Sequence, residues 1–189
     1  GMNVDADVPV VGIVSRLGGH KGVDFMKEVL EKSLYERNIQ YVVLGSGEWE
    51  YENFFRYLHD KYPDKVGITI GFVPDLARKI YAGADLFLMP SKSEPCGLSQ
   101  MVALRYGTLP IVRETGGLKD SITDCGDGHG NGFTFKTYDA YDMLGAIYRG
   151  VDAYNSKDWK VLVKRALECD MSWGKSANEY IKMYRSLLK

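Results

Sequence analysis

Cysteine is scarce in this chain, with only Cys96, Cys125 and Cys169 among 189 residues. An odd, widely spaced set forms no disulfide framework and no metal-ligand pair. Reduced thiols in a cytoplasmic setting are the simple expectation. Long apolar runs are missing too, so no segment reaches membrane-spanning length. No charged stretch followed by an apolar one opens the chain, and secretion is not indicated. Neither sign of charge dominates: 24 Lys+Arg stand against 25 Asp+Glu, a net charge of −1. That balance argues against a nucleic-acid or anionic-membrane partner. No carboxylate cluster points to a metal. His20, His59 and His129 have no Ser or Cys partner at recognisable spacing, which speaks against triad chemistry. No internal repeat or low-complexity segment is visible.

What is present reads as an ordinary globular domain. Hydrophobic residues make up 45% and charged residues 26%, and the length allows one substantial core. Gly1-Met2 reads as a tag remnant, and the first strand starts within ten residues. The chain is therefore expected to be a piece of something longer.

Strand-like runs occur at Val8–Val14, Gln40–Leu44, Val66–Ile70, Leu86–Pro90, Leu109–Val112 and Gly132–Phe135. Helical periodicity separates the early ones. Gly22–Tyr35 puts Phe25, Val29 and Leu30 on one face. Glu50–Lys61 groups Phe54, Tyr57 and Leu58, and Asp75 is the expected cap of a helix over Leu76–Ala82. Another helix is expected over Leu98–Tyr106. Strands alternating with helices imply βαβ units, right-handed crossovers and a parallel sheet. After the Asx- and Gly-rich loop Asp124–Asn131, the chain turns almost wholly helical: Ala140–Asn155, Trp159–Cys169 and, with Ser172 as candidate cap, Lys175–Leu188. The expected division is an α/β domain over 8–137 and a helical segment over 138–189.

The most informative stretch is Ser91-Lys92-Ser93-Glu94-Pro95-Cys96-Gly97-Leu98-Ser99-Gln100, where a strand hands over to a helix. In open α/β sheets, ligands bind at this rim. Gly97 permits close backbone approach, and the amides of Leu98 and Ser99 are placed to meet an anion. Glu94 disfavours a bare phosphate there and suits an uncharged polyhydroxylated group beside one, so a sugar phosphate or sugar nucleotide is indicated. Cys96 reads as a close-packed structural thiol. Arg16 and Lys21, 5 residues apart across Gly18-Gly19 after the first strand, can converge on one diphosphate; solvated loop charges are the plain alternative. Gly45 and Gly47 after the second strand carry only half of a dinucleotide fingerprint, because Glu50 stands where the third glycine belongs. That turn fits a nucleobase or ribose and a purely structural role equally. Phe72 reads from its own segment as a core residue, with an aromatic edge against a base as the alternative. Arg113-Glu114-Thr115-Gly116-Gly117-Leu118, taken alone, is a turn. Gly174-Lys175-Ser176 is not a phosphate loop, since Cys169 occupies its required glycine and no strand precedes it.

These pieces together resemble a known family. Ser15-Arg16-Leu17 with Lys21-Gly22, Glu94-Pro95-Cys96-Gly97-Leu98, Tyr106-Gly107-Thr108-Leu109-Pro110, Thr115-Gly116-Gly117-Leu118-Lys119-Asp120 and Met171-Ser172-Trp173 are similar to bacterial glycogen synthases and plant starch synthases. The match runs in order over nearly the whole chain. It implies the C-terminal half of a GT-B glycosyltransferase: a Rossmann-like, doubly wound parallel sheet of about six strands with a helical C-terminal tail. Related retaining enzymes carry a second Glu eight residues after the first; Val102 stands there, as in the glycogen synthase branch.

The resemblance further implies ADP-glucose as donor and the non-reducing end of an α-1,4-glucan as acceptor, with retained configuration. The N-terminal domain of the same enzyme would be the missing partner, so the chain alone would bind donor and hardly transfer sugar. Arg16 and Lys21 would hold the diphosphate, in place of a metal or other cofactor. Glu94 would accept from a glucose hydroxyl. Cys96, Gly97, Leu98 and Ser99 would contact glucose and phosphate, Thr115, Gly116 and Gly117 would line the sugar and acceptor side, and Gly45 and Phe72 would lie near base and ribose. Another retaining GT-B glucosyltransferase, or a non-catalytic nucleotide-binding module, is the alternative.

Overall fold

The computed structural model describes residues 2–188, with Asp127 described through its backbone. Gly1, read as a tag remnant, and Lys189, the last residue of the helical segment, lie outside the described residues.

Short β-branched and aliphatic runs form the strands β1 (Val10–Val14), β2 (Gln40–Gly45), β3 (Val66–Ile70), β4 (Leu86–Met89), β5 (Leu109–Arg113) and β6 (Phe133–Phe135). Between and after them lie α1 (Val23–Glu36), α2 (Trp49–Lys61), α3 (Pro74–Gly83), α4 (Ser99–Tyr106), α5 (Gly116–Ser121), α6 (Ala140–Tyr154), α7 (Trp159–Glu168) and α8 (Trp173–Leu187). All six strands are parallel in the order β3-β2-β1-β4-β5-β6. Parallel strands need helical crossovers, and these cover both faces of the sheet, which is why the strands read as unbroken apolar runs. Helices α1, α2 and α6 pack together, and α3, α4, α5 and α7 form the opposite layer. The expected doubly wound sheet is present, and strand order reverses between β1 and β4. That switch point sits where the β1 and β4 loops leave the sheet side by side.

The core joins β1 Ile13, β4 Leu86, α4 Leu104, β5 Ile111 and α6 Ile147, all fully buried. The helical segment after β6 is not uniform. Helices α6 and α7 contribute Met143, Leu144, Ile147, Val151, Leu162 and Ala166 to the same core, whereas α8 buries no residue. Asp139 caps α6 by accepting from the Tyr141 and Asp142 amides, each at 2.9 Å, and this supplies two otherwise unpaired donors.

Several local expectations are corrected. Asp75 is not the cap of α3. Val73 holds that position and Pro74 opens the helix, as suits a residue without an N–H; Asp75 lies in the first turn, paired with Arg78 at 2.5 Å. On α2 the fully buried aromatic is Phe55, while Tyr57 is half exposed and hydrogen-bonded to Glu31 at 3.2 Å. Ser172 precedes α8, but its side chain makes no capping bond. The segment read as a turn after Arg113 is the helix α5. The Asp124–Asn131 loop, as expected a surface turn, is anchored at its start, where Asp124 accepts from the Thr134 amide at 2.6 Å and from Arg149 at 3.0 Å.

Candidate functional site

Three loops meet at the switch point. The first follows β1 and carries Arg16 and Lys21, its Gly19–Lys21 part forming a single turn of 3₁₀ helix. It ends at Gly22, whose φ is 77°. A Cβ there would stand 2.2 Å from the Pro90 carbonyl oxygen. Only glycine lets α1 start this close to the end of β4.

The second loop, Ser91 to Leu98, brings Glu94 against Lys21. Glu94 Oε2 lies 2.5 Å from Lys21 Nζ and accepts from Ser91 Oγ at 3.1 Å. The Lys21 side chain is 20% exposed and that of Glu94 12%, so the pair is largely shielded. The third loop leads from β5 into α5. Just past it, in the first turn of α5, the Gly117 amide donates to the Glu94 carbonyl at 3.1 Å. A Cβ at Gly117 would stand 2.0 Å from the Cys96 carbonyl oxygen, so the two loops touch through bare backbone. Gln100, fully buried, fastens the same stretch from below by donating to the Gly97 carbonyl at 2.9 Å and to Ser121 Oγ at 3.1 Å.

Two cavities open here, side by side. A smaller one of about 200 Å³ is lined by Arg16, Lys21, Pro90, Ser91 and Ser99. A larger one of about 410 Å³ is mostly apolar and is lined by Gly45, Gly71, Phe72, Ala77 and Tyr81. Val14, Ser15, Arg16 and Ser99 border both. Tyr81 donates to Ser99 Oγ at 2.9 Å and so stands at the partition. Burial pushes the Tyr81 hydroxyl above its usual range, with the Ser99 contact opposing, and the ring packs on Phe87 at 4.9 Å.

The structure thus brings Arg16, Lys21, Glu94, Ser99, Thr115, Gly116 and Gly117 to one rim, with Gly45 and Phe72 in the adjoining cavity. Arg16 is exposed toward both cavities. Thr115 is the residue before α5, and Gly116 takes a φ of 45°. Gly97 takes a φ of 75° directly after Cys96. Two readings are corrected. Phe72 is 90% exposed, so it is no core residue; it leaves β3 on a glycine and hangs over the larger cavity. Cys96 is exposed rather than close-packed, with only a 3.6 Å contact from Sγ to the Gly97 carbonyl. Leu98 is also exposed, and the linings of the two cavities include none of Glu94, Cys96, Gly97, Leu98, Thr115, Gly116 and Gly117.

Sequence reasoning missed Tyr81, although Ala77 and Tyr81 share a helix face at a spacing of four. It also missed Ser91 as a partner of Glu94, and no local signal marks Arg113 or Tyr138. Among the described residues, no group of three or more His, Cys, Asp or Glu is placed to hold a metal ion, and no helix is long and apolar enough to cross a membrane.

A cationic cavity at the switch point of a six-stranded 3-2-1-4-5-6 sheet, flanked by an apolar one, defines a Rossmann-type α/β domain. The chain belongs to the family described as Glycosyl transferases group 1, which matches residues 2–149. It is 47% identical to a glycogen synthase of Bacillus cereus, over all of this chain and 40% of that protein. It is 50% identical to a glycogen synthase of Anoxybacillus flavithermus, over 97% of this chain and 38% of that protein. The solved catalytic domain of starch synthase IV from Arabidopsis thaliana, bound to ADP and acarbose, superposes with a TM-score of 0.88 at 36% identity, covering all of this chain and 41% of that one. The chain therefore spans about 40% of the length of the curated relatives it matches.

Proposed function

We propose that this chain is the sugar-nucleotide-binding half of a glycogen or starch synthase, taking ADP-glucose for retaining transfer to the non-reducing end of an α-1,4-glucan. The observation that carries the reading is the pair of adjoining cavities that share Arg16 and Ser99. A nucleoside diphosphate has the same two-part chemistry, an apolar base beside a dianionic phosphate pair. The similarity to glycogen synthases and to an ADP-bound starch synthase supports the same reading.

In this reading Arg16 and Lys21 hold the diphosphate and stabilise the charge that builds on the leaving nucleoside diphosphate, as preorganised cations do. Lys21 offers three N–H donors and Glu94 takes one, so phosphate oxygens can share the ammonium. Glu94, kept beside Lys21, accepts from a glucose hydroxyl. Backbone around Gly97, Leu98 and Ser99 contacts sugar and phosphate, while Cys96 serves through its main chain. Thr115, Gly116 and Gly117 border the sugar and acceptor side, and Gly45 and Phe72 border base and ribose. No group in this site is assigned as a nucleophile, and no metal or cofactor is assigned. Exposed Trp173, Tyr180, Ile181, Tyr184 and Leu187 on α8 support packing against a second domain of the same enzyme. The reduced thiols Cys96 and Cys169 suit a cytoplasmic setting.

Calorimetric titration with ADP, UDP and NAD tests the reading. ADP should bind, and Lys21→Ala should weaken it by roughly ten- to a hundredfold, the size of a lost charge-assisted contact. Preference for UDP would retain the site and change the donor. Binding of NAD instead, or ADP affinity indifferent to Lys21→Ala, would overturn the assignment.

A further inference from the structure

Arg113 and Tyr138 line neither cavity, yet both charged loops are fastened to them. Arg113, the last residue of β5, donates from Nε to the Ser91 carbonyl at 3.0 Å and from Nη2 to the Lys92 carbonyl at 2.5 Å. These carbonyls open the loop that ends in Glu94. The Lys92 amide donates in turn to the His20 carbonyl at 3.0 Å, next to Lys21. One guanidinium and one amide therefore connect β5, the Glu94 loop and the Lys21 turn.

Tyr138, in the connection from β6 to α6, closes the same junction. Its ring centroid lies 5.3 Å from Lys92 Nζ and 5.4 Å from Arg113 Cζ, within cation–π reach. The ring also packs on Phe25 at 3.9 Å. The hydroxyl donates to Asp24 Oδ2 at 2.9 Å, in the first turn of α1, and lies 3.4 Å from the Gly19 carbonyl. One side chain thus touches the start of the Lys21 turn, the helix that follows it, Lys92 of the Glu94 loop and Arg113 of β5.

We infer that Arg113 and Tyr138 are positioning residues, a clasp that holds the Lys21 turn and the Glu94 loop in register so that both charges face one ligand. Neither touches the ligand. Their effect runs through backbone carbonyls, and a displacement of about 1 Å at a binding constellation is enough to weaken it severely. The residue types fit the task. A planar guanidinium supplies two donors in a fixed fork to two adjacent carbonyls, where an ammonium's donors rotate freely. A tyrosine supplies a ring for the cations and a hydroxyl for Asp24, of which phenylalanine keeps only the ring. The inference rests on the reading of Lys21 as a diphosphate ligand, so its test needs an arm that does not use nucleotide.

Arg113→Gln and Tyr138→Phe should be compared with the unmodified chain by amide hydrogen exchange without ligand and by ADP titration. In Arg113→Gln the Lys92 amide should exchange at least about tenfold faster while β1 and β2 amides keep their protection, as expected for local opening. ADP affinity should fall about tenfold in Arg113→Gln and about threefold in Tyr138→Phe. Adding Arg113→Gln to Lys21→Ala should cost less affinity than Arg113→Gln costs alone, because part of the clasp's effect runs through Lys21. A merely structural role would give additive losses or a general rise in exchange, and either overturns the proposal. So would unchanged Lys92 exchange in both variants. If Arg113→Gln does not fold, Tyr138→Phe carries both measurements. Failure of the unmodified chain to bind ADP would overturn the nucleotide reading alone, and the exchange result would then decide the clasp.

Discussion

Two Lys–Glu pairs in this chain have nearly the same geometry and opposite surroundings. Lys21 and Glu94 meet at 2.5 Å with side chains 20% and 12% exposed, at the mouth of a cavity and with Ser91 as a third partner. Lys182 and Glu179 meet at 2.7 Å on α8 with side chains 71% and 65% exposed. The first pair is held by three loops that touch through backbone. The second is set only by the helical spacing of three and is screened by solvent. Distance between charges therefore says little about role here; burial and the fastening of the backbone separate a site from a solvated surface. The same contrast extends to apolar residues. The switch-point rim rests on a filled core, whereas α8 buries nothing and borders an open groove of about 430 Å³ beside Met101.

The largest effect that sharpens this contrast is on stability. Ile147→Ala, at a fully buried position of α6, should cost roughly 2–5 kcal/mol through lost burial and a residual cavity. Ile181→Ala on α8, where the side chain is 46% exposed, should stay within about 0.5 kcal/mol. Denaturant unfolding of each variant decides the matter. Similar losses for both would mean that α8 is packed in solution and that the contrast is false.

The contrast was only partly legible in the sequence, and the reason lies in the range of the interactions. Strand cores were readable because parallel strands covered on both faces leave continuous apolar runs such as Val10–Val14 and Leu109–Val112. Arg16 and Lys21 were readable because charges interleaved with glycines at a strand end have few purely structural uses. Helix α5 was not, since six residues opening on two glycines have poor helical propensity; it forms because the Glu94 loop packs against it. Phe72 was ambiguous because a lone aromatic after a glycine carries no periodicity. Tyr138 was invisible because its partner Asp24 is 114 residues away. The rim's charges are local features of the chain, and the groups that hold them in place are tertiary ones.

A smaller effect tests whether Glu94 competes with phosphate for Lys21. Glu94→Gln removes the charge from that pair while keeping an oxygen that can accept from Ser91. ADP affinity should rise about threefold, since the Lys21 ammonium is released to the phosphates, and the advantage of ADP-glucose over ADP should shrink by about tenfold as a charge-assisted contact to sugar is lost. Glu179→Gln on α8 should change neither quantity. Parallel titrations with the two ligands separate the contributions. If Glu94→Gln weakens ADP as much as Lys21→Ala does, Glu94 positions the lysine rather than competing for it; if the advantage of ADP-glucose over ADP is unchanged, the sugar assignment fails.

The smallest effect concerns acid, and again two carboxylates with the same direction of shift differ in cause. Burial pushes the Asp124 carboxyl up, but the Thr134 and Gly126 amides and Arg149 together outweigh it and hold the group below the ordinary value of 3.8. Glu179 is also held low, by the hydrogen bond and charge of Lys182, at a solvent-exposed position. A group whose native value is depressed contributes stability that is complete above its ordinary value and lost as pH falls through the native one. The Asp124 contribution should therefore fade below about pH 4 and should persist in high salt, because backbone amides supply most of it. Asp124→Asn should flatten that part of the stability profile, while Glu179→Gln should leave it unchanged. Thermal melts of the three proteins between about pH 3 and pH 6, the range in which carboxylates titrate, make the comparison. Equal flattening by Glu179→Gln would show that the exposed α8 pair contributes as much as the anchored loop, which its solvent exposure argues against.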